Sequence, residues 1–291
     1  MVVQALLPLL NMVSLIATES AIRNRLPQVQ RDVRKSYREL KRNVDLSLVL
    51  PTYNERQNIP ALLAWIDRSL SGKKFEVILV DDDSPDQTWA AAQELQRQYT
   101  WLRVIRRMGV RGLGSAVITG FRQSHGKILG VMDADLQHSA ALLPTLLSEI
   151  EQGEFVVATR RAAGGSNGQW SQLRCLGSHI AGALARLFAN VPFSDPMSGF
   201  FLMRREIFSS IDEGALRPRG YKILVYLYAK AAREFTREEL RVREVGYEFA
   251  KRANGRSKFS LKIIFDYLRM LLELSFQAHR HKPNDLCRSR V

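Results

Sequence analysis

Two acidic clusters stand where short apolar runs end. Val80-Asp81-Asp82-Asp83-Ser84-Pro85-Asp86 closes one run, and Met132-Asp133-Ala134-Asp135-Leu136-Gln137-His138 closes another. Carboxylates crowded together repel, so the arrangement calls for a cation or for hydrogen-bond donors to balance it. The Asp133-x-Asp135-x-Gln137 spacing suits a hard divalent ion, because two carboxylates and an amide oxygen on a strand end and its turn can converge on octahedral Mg²⁺ or Mn²⁺. Such ions bind through one or two carboxylates plus substrate phosphates, which makes a nucleotide diphosphate the expected ligand. Acids capping a turn are the plainer alternative. Their placement after an apolar run, matched by a second acid cluster after another run, favours the chemical reading.

A third apolar run, Leu46–Leu50, ends in Pro51-Thr52-Tyr53-Asn54-Glu55. Tyr53 offers a flat face to a base, and Glu55 offers acceptors to base or ribose. Helix capping by Asn54 and Glu55 would account for the same residues.

The elements that must position these residues read as an alternation. Five-residue apolar runs at Leu46–Leu50, Glu76–Val80, Leu102–Arg106, Ile128–Met132 and Phe155–Thr159 are predicted strands; Ile59–Leu70, Thr88–Tyr99, Ser115–Ser124 and Ala140–Gln152 are predicted helices. Repeated βαβ units give an α/β fold on a mostly parallel sheet, with ligands at the carboxyl ends of the strands. Beyond Thr159 the pattern changes. A Gly-rich loop, Ala162–Ser171, leads to a helix near Leu176–Ala189, a strand Gly199–Met203, a helix Tyr221–Ala232, a strand near Arg241–Phe249 and a helix Phe259–Phe276. In the last helix Lys262, Asp266, Arg269 and Glu273 share one narrow face, and nearly everything else is apolar.

The 291 residues suit one large domain with extensions, and 46% hydrophobic with 25% charged residues excludes wholesale disorder. The charge is unusual, at +14. Residues 1–45, 101–127 and 251–291 carry net +4, +6 and +7, leaving −3 for the rest, so the basic character points to anionic partners at particular places. Cys175 and Cys287 make no disulfide framework and no metal finger, and a reducing compartment is expected. None of the five histidines shows ligand spacing; His138 alone falls in a motif, in an orienting role. Gly109, Gly112 and Gly114 do not make the dinucleotide fingerprint.

With these residues in view, the chain resembles a known family. Leu48-Val-Leu-Pro51-Thr-Tyr53-Asn54-Glu55, Val80-Asp-Asp82-Asp-Ser-Pro-Asp86-x-Thr88, Arg111-Gly112-Leu113-Gly114-x-Ala116, Asp133-Ala134-Asp135-Leu-Gln137-His138, Thr159-Arg160, Asp195-Pro-Met-Ser198-Gly199-Phe200 and Arg252-x-x-Gly255-x-Ser257-Lys258 are similar, in order, to the motifs of dolichyl-phosphate mannose synthases and their bacterial polyprenyl-phosphate relatives, within glycosyltransferase family 2. The resemblance covers about residues 46–275. It implies a GT-A fold, a Rossmann-like sheet with helices on both faces, a GDP-mannose or other nucleotide-sugar donor, and a lipid-phosphate acceptor. By matching position it implies that Pro51, Tyr53, Glu55, Val80 and Asp82 hold base and ribose. Asp133, Asp135 and Gln137 would bind Mg²⁺ or Mn²⁺, with Ala134 against the donor. Arg160, Arg252 and Lys258 would meet the phosphates of donor and acceptor. Catalysis would rest on Asp135 and Arg160. The chain departs from the family pattern at Tyr226 and Arg256, where an acid is usual.

The expected organisation is a basic extension over 1–45, a GT-A domain over 46–258, and an amphipathic helix with a basic tail over 259–291. No transmembrane helix is expected. The apolar face of Phe259–Phe276 beside basic residues suits an interfacial helix at the cytoplasmic side of an anionic membrane, a membrane-anchoring partner subunit, or packing back on the domain. Val2–Ala17 is a candidate second anchor, and Ala162–Ser171 is an expected acceptor-site lid. Two rival readings carry different signatures. A family 2 transferase could instead use UDP-glucose or another donor, and one acting on a glycan hydroxyl would need a base such as Asp195. A nucleic-acid-binding protein would interleave basic and aromatic residues rather than place carboxylates at strand ends, so nucleic acid is not an expected partner.

Overall fold

Leu46-Ser-Leu-Val-Leu-Pro-Thr forms β1 (Leu46–Thr52), buried along nearly its whole length. An apolar run without polar alternation is what a strand covered on both faces requires. Its neighbours in the sheet are drawn from β2 (Phe75–Asp81), β3 (Leu102–Arg106), β4 (Ile128–Val131), β5 (Phe155–Thr159), β6 (Phe201–Arg204) and β7 (Val242–Gly246). The sheet order is β3-β2-β1-β4-β6-β5-β7. β6 runs antiparallel to both β4 and β5, and the remaining pairs are parallel. This computed structural model describes residues 44–168, 171–212, 216, 222–250 and 261–280, all within one compact unit that starts at Val44.

The helices are α1 (Ile59–Ser69), α2 (Thr88–Leu95), α3 (Leu113–Gln123), α4 (Leu143–Glu149), α5 (Gln172–Ala189), α6 (Arg205–Ser210), α7 (Ile223–Ala231) and α8 (Leu261–Arg280). Period-two alternation sends β1 side chains to opposite faces. Leu46, Leu48 and Leu50 meet Leu62, Ile66 and Leu146 of α1 and α4. Val49 faces the other way, into a cluster with Phe121 of α3, Tyr228 of α7 and Met270 of α8. Each of these fully withdrawn side chains contributes about 1.5–3 kcal/mol. Gly120 lets α3 lie close on β1, since a Cβ there would stand 2.6 Å from Val49 Cγ1.

Register brings the loaded strand ends together. Pro51 pairs with Val80 and Thr52 with Asp81, while Val49 pairs with Val131. The β4 ladder has ended before Pro51, so its missing N–H falls where the sheet opens, a position proline tolerates. The ends of β1, β2 and β4 thus share one edge.

Some element bounds differ from the sequence reading. α2 stops at Leu95 rather than Tyr99, because Tyr99 turns inward beside Trp101, with ring centroids 4.8 Å apart, to feed β3. Ala140–Gln152 is a short α-helix between two 3₁₀ turns, broken at its start by Pro144. The one-turn-and-a-half α6 was not foreseen; its six residues are too few to show periodicity. α8 has two apolar sides. Tyr267, Met270, Leu271 and Leu274 are buried, with the Tyr267 hydroxyl donating to Ala181 O of α5 at 2.7 Å. Phe265, Leu268, Leu272 and Phe276 are exposed. The expected alternatives of packing on the domain and presenting an apolar face therefore coexist on one helix. No helix among the described residues is long and apolar enough to cross a membrane.

Candidate active site

The three consecutive acids after β2 have three fates. Asp81 is wholly buried and accepts from Thr52 Oγ1 (2.9 Å), Ser84 N (2.8 Å) and Ser84 Oγ (2.6 Å), tying the ends of β1 and β2 together. Asp82 accepts from Arg107 Nε and Gly112 N, both at 2.7 Å. Asp83 is half exposed and pairs with Arg106. Asn54, at φ 56°, turns the β1 exit, and its N–H donates to Ser84 Oγ at 3.0 Å. Glu55 is buried, accepts from Asn58 Nδ2 at 2.8 Å, and donates its backbone N–H to Thr88 Oγ1. The Arg111 guanidinium lies over the Tyr53 ring at 4.8 Å.

At the end of β4 the chain turns through Leu136, at φ 62°. Asp133 remains 34% exposed, and its Oδ2 stands 3.6 Å from Nε2 of the buried His138. His138 Nδ1 meets the Tyr247 hydroxyl at 2.8 Å. Burial pushes Tyr247 well above the usual phenol range, so the hydroxyl keeps its proton. If that proton is donated to Nδ1, the imidazole N–H falls on Nε2, the nitrogen that faces Asp133. Gln137 N donates to Asp135 Oδ1 at 3.2 Å, and Gln137 Nε2 donates to Ala250 O at 3.0 Å, which reserves the amide oxygen as the acceptor.

These residues fit a divalent ion. Gly199 leaves room for the Asp133 carboxylate, since a Cβ at that position would lie 2.7 Å from Asp133 Cγ. Among the described residues no three His, Cys, Asp or Glu side chains cluster tightly enough to chelate an ion by themselves. Two carboxylates with an amide oxygen, completed by substrate phosphates, is the donor set that Mg²⁺ or Mn²⁺ uses.

Opposite lies a buried ion pair. Arg160 Nε and Nη2 donate to Asp195 Oδ2 and Oδ1 at 2.6 and 2.8 Å. The Arg160 guanidinium also lies 5.3 Å from the Phe249 ring centre. Burial by itself would raise the Asp195 carboxyl, but the Arg160 guanidinium, helped by Arg161 and Lys222, holds it below the usual carboxylate range. Met197 N donates to Asp195 Oδ1 as well, at 3.2 Å. A carboxylate 1% exposed and engaged on both oxygens is in no position to take a proton from a substrate, so Asp195 does not supply the base that a hydroxyl acceptor would need.

The loop Asp195–Gly199 also gathers a residue that the sequence reading passed over. Lys222 Nζ donates to Met197 O at 3.0 Å. Burial pushes this ammonium below the usual lysine range, with Asp133 and Asp195 pulling the other way. Within five residues the loop therefore touches Arg160, Lys222 and Asp133. Its position just before α7, in Gly220-Tyr221-Lys222, was the only sequence signal, and the apolar residues that follow read as core.

Other expected site residues fall elsewhere. Arg252, Arg256 and Lys258 lie outside the described residues, as does Val2–Ala17. The first half of the expected lid is fastened to the strand edge after β7: Ser166 N donates to Tyr247 O and Phe249 N to Ser166 O, both at 3.1 Å. Gln169 and Trp170 lie outside the described residues. Tyr226 is buried in α7, beneath Lys230.

A mostly parallel α/β sheet that collects acids, an amide and cations at one edge is the architecture of GT-A glycosyltransferases. Glucosyl-3-phosphoglycerate synthase of Mycobacterium tuberculosis, solved with phosphoglyceric acid, shares the fold: TM-score 0.58 at 19% identity, over 84% of both chains. The same enzyme with Mn²⁺, UDP and glucosyl-3-phosphoglycerate gives 0.57 at 18% identity, again over 84% of both chains. The chain belongs to glycosyl transferase family 2, whose pattern matches residues 47–212. It is 40% identical over 233 residues to the dolichol-phosphate mannosyltransferase of Pyrococcus furiosus, a match covering 79% of this chain and 63% of that relative. To the dolichol-phosphate mannosyltransferase of Saccharomyces cerevisiae it is 35% identical, over 80% of this chain and 87% of the relative. The one of Mycosarcoma maydis is 34% identical over 78% of each.

Proposed function

We propose that this family 2 transferase moves a hexose, mannose from GDP-mannose, onto a polyprenyl or dolichyl phosphate with inversion at the anomeric carbon. One observation carries the reading beyond the relatives' names. The acceptor side of the cleft holds Arg160 and Lys222 and has the carboxylate of Asp195 locked away. Such a site suits a nucleophile that needs no deprotonation. A lipid phosphomonoester has its second pKa near ~6 and is largely a dianion at neutral pH. An alcohol acceptor would need a general base.

Asp133, Asp135 and Gln137 would hold Mg²⁺ or Mn²⁺, which supplies charge neutralisation for the departing diphosphate when bound. His138 orients Asp133, and Gly199 leaves it room. Pro51, Tyr53, Glu55, Val80 and Asp82 form the base and ribose side, with Ala134 against the donor. Arg160, together with Arg252 and Lys258, meets the phosphates, and Lys222 adds a cation beside them. Much of the rate then comes from holding two anions in line for displacement.

The exposed Phe265, Leu268, Leu272 and Phe276 of α8, together with the exposed Leu176 and Ile180 of α5, suit a peripheral seat on the cytoplasmic side of an anionic membrane, where the acceptor's lipid tail resides. A membrane-anchoring partner subunit would use the same face. The test is incubation of the full chain with GDP- and UDP-sugars, Mg²⁺ or Mn²⁺ and polyprenyl phosphate, with the lipid product read by mass spectrometry. Lipid-linked mannose from GDP-mannose is expected. No lipid-linked sugar from any donor would overturn the proposal.

A further inference from the structure

The segment Arg107–Gly112 has no role in the reading above, yet among the described residues it supplies the hydrogen bonds that hold the Asp82 carboxylate. Arg107 Nε and Nη2 both donate to Asp82 Oδ1, the first at 2.7 Å, and Gly112 N donates to Oδ2 at 2.7 Å. Both side chains are only 8% exposed. The remaining guanidinium N–H groups go to Ser115 Oγ (3.0 Å), Gly112 O (3.1 Å) and, at the 3.5 Å limit, Thr119 Oγ1. Arg107 thus spends its five donors inside the protein and has none left for a ligand. Asp82 differs. A carboxylate oxygen accepts two hydrogen bonds, so Oδ1 is filled by Arg107 while Oδ2, holding one bond from Gly112, keeps one acceptor position.

The path of the segment is built for this. Gly109 and Gly112 stand at φ 75° and 141°, backbone that other residues rarely adopt, and the segment carries Arg111 onto the Tyr53 ring at 4.8 Å. The two groups it grips, Asp82 and Tyr53, are those on the base side of the nucleotide site.

We infer that Arg107 is a positioning residue for base recognition: it turns the Asp82 carboxylate so that one oxygen offers a single acceptor to the base edge. The site then takes nucleoside diphosphates whose base presents a ring N–H there, guanine or uracil. It refuses adenine and cytosine, whose ring nitrogen at the corresponding position carries a lone pair that faces the carboxylate unfavourably. The inference rests on the proposed nucleotide site and adds the residue that sets its base preference.

The test is calorimetric titration of the full chain with GDP, UDP, ADP and CDP in Mg²⁺, for wild type, Arg107→Gln and Arg107→Lys, with melting temperatures taken in parallel. Wild type is expected to prefer GDP over ADP by about ten- to a hundredfold, the range of one charge-assisted hydrogen bond. Arg107→Gln should collapse that ratio toward one, and Arg107→Lys, which keeps the charge but loses the fork, should reduce it by a few-fold while remaining folded. In turnover, donor KM should rise while kcat at saturating donor holds within about twofold. A purely structural role would weaken all four nucleotides alike. If wild type discriminates and the folded variants keep its ratio, the inference fails and the nucleotide site stands. If wild type binds all four equally, the inference fails and the nucleotide site stands; if it binds none of the four, the nucleotide-site reading falls and the inference with it.

Discussion

Arg160, just past the end of β5, and Asp195, on the loop before β6, lie 35 residues apart and meet through two parallel hydrogen bonds of 2.6 and 2.8 Å in an almost completely buried site. Removing one partner of such a pair leaves a buried charge uncompensated, which costs about 3–5 kcal/mol. Asp195→Ala is therefore expected to destabilise the fold by about that much in urea denaturation, and Asp195→Asn by less. The sign with pH follows from the depressed Asp195 carboxyl. Its contribution is complete above the unfolded value of about 4 and is lost as pH falls through the lower folded value. The stability gap between wild type and Asp195→Asn should be flat from about pH 8 to about pH 5 and close in more acid solution. A gap that persists unchanged in strong acid would contradict this account.

Gly199→Ala tests the metal side without touching a ligand. The added methyl must displace the Asp133 carboxylate or the loop that carries Met197. Mg²⁺-dependent binding of GDP, followed by titration, should weaken by about tenfold or more, in the range seen for disturbed metal surroundings. Asp135→Ala should abolish transfer altogether, and a chelator should reproduce that loss reversibly.

Lys222→Gln is expected to raise the KM for the lipid phosphate and to lower kcat, leaving GDP affinity within about twofold, because the proposed role of the ammonium is at the acceptor rather than the base. Lys222→Arg keeps the charge and should recover part of the activity. Equal weakening of GDP binding by both variants would move Lys222 to the donor side.

Leu268→Glu with Leu272→Glu places two charges on the exposed side of α8 and leaves Met270 and Leu271 untouched in the core. Flotation with anionic liposomes should be lost, while transfer to a short, detergent-dispersed acceptor persists. Undiminished flotation would shift the membrane contact away from this helix.

All seven of the sheet's strands and the acid-bearing ends of three were legible in the chain itself. Apolar runs of five residues broken by Pro, Asp and Asn admit few other foldings, and the βαβ alternation then puts their ends on one edge. The ordered motifs likewise identified the family over the stretch that the fold occupies. Local pattern does not encode partnership between distant side chains. That Asp81 is a strut, Asp82 the buried partner of Arg107 and Asp83 a surface charge cannot be read from three consecutive acids. Their fates depend on Thr52, Arg107 and Arg106, brought in by other strands and loops. The same holds for Asp195, a candidate base in sequence and a locked counter-ion in the fold, and for Lys222, whose apolar neighbours hid it. Residue type and strand spacing determined which chemistry the chain can attempt; only tertiary packing, by desolvating some charges and pairing others, decided which atoms remain to perform it.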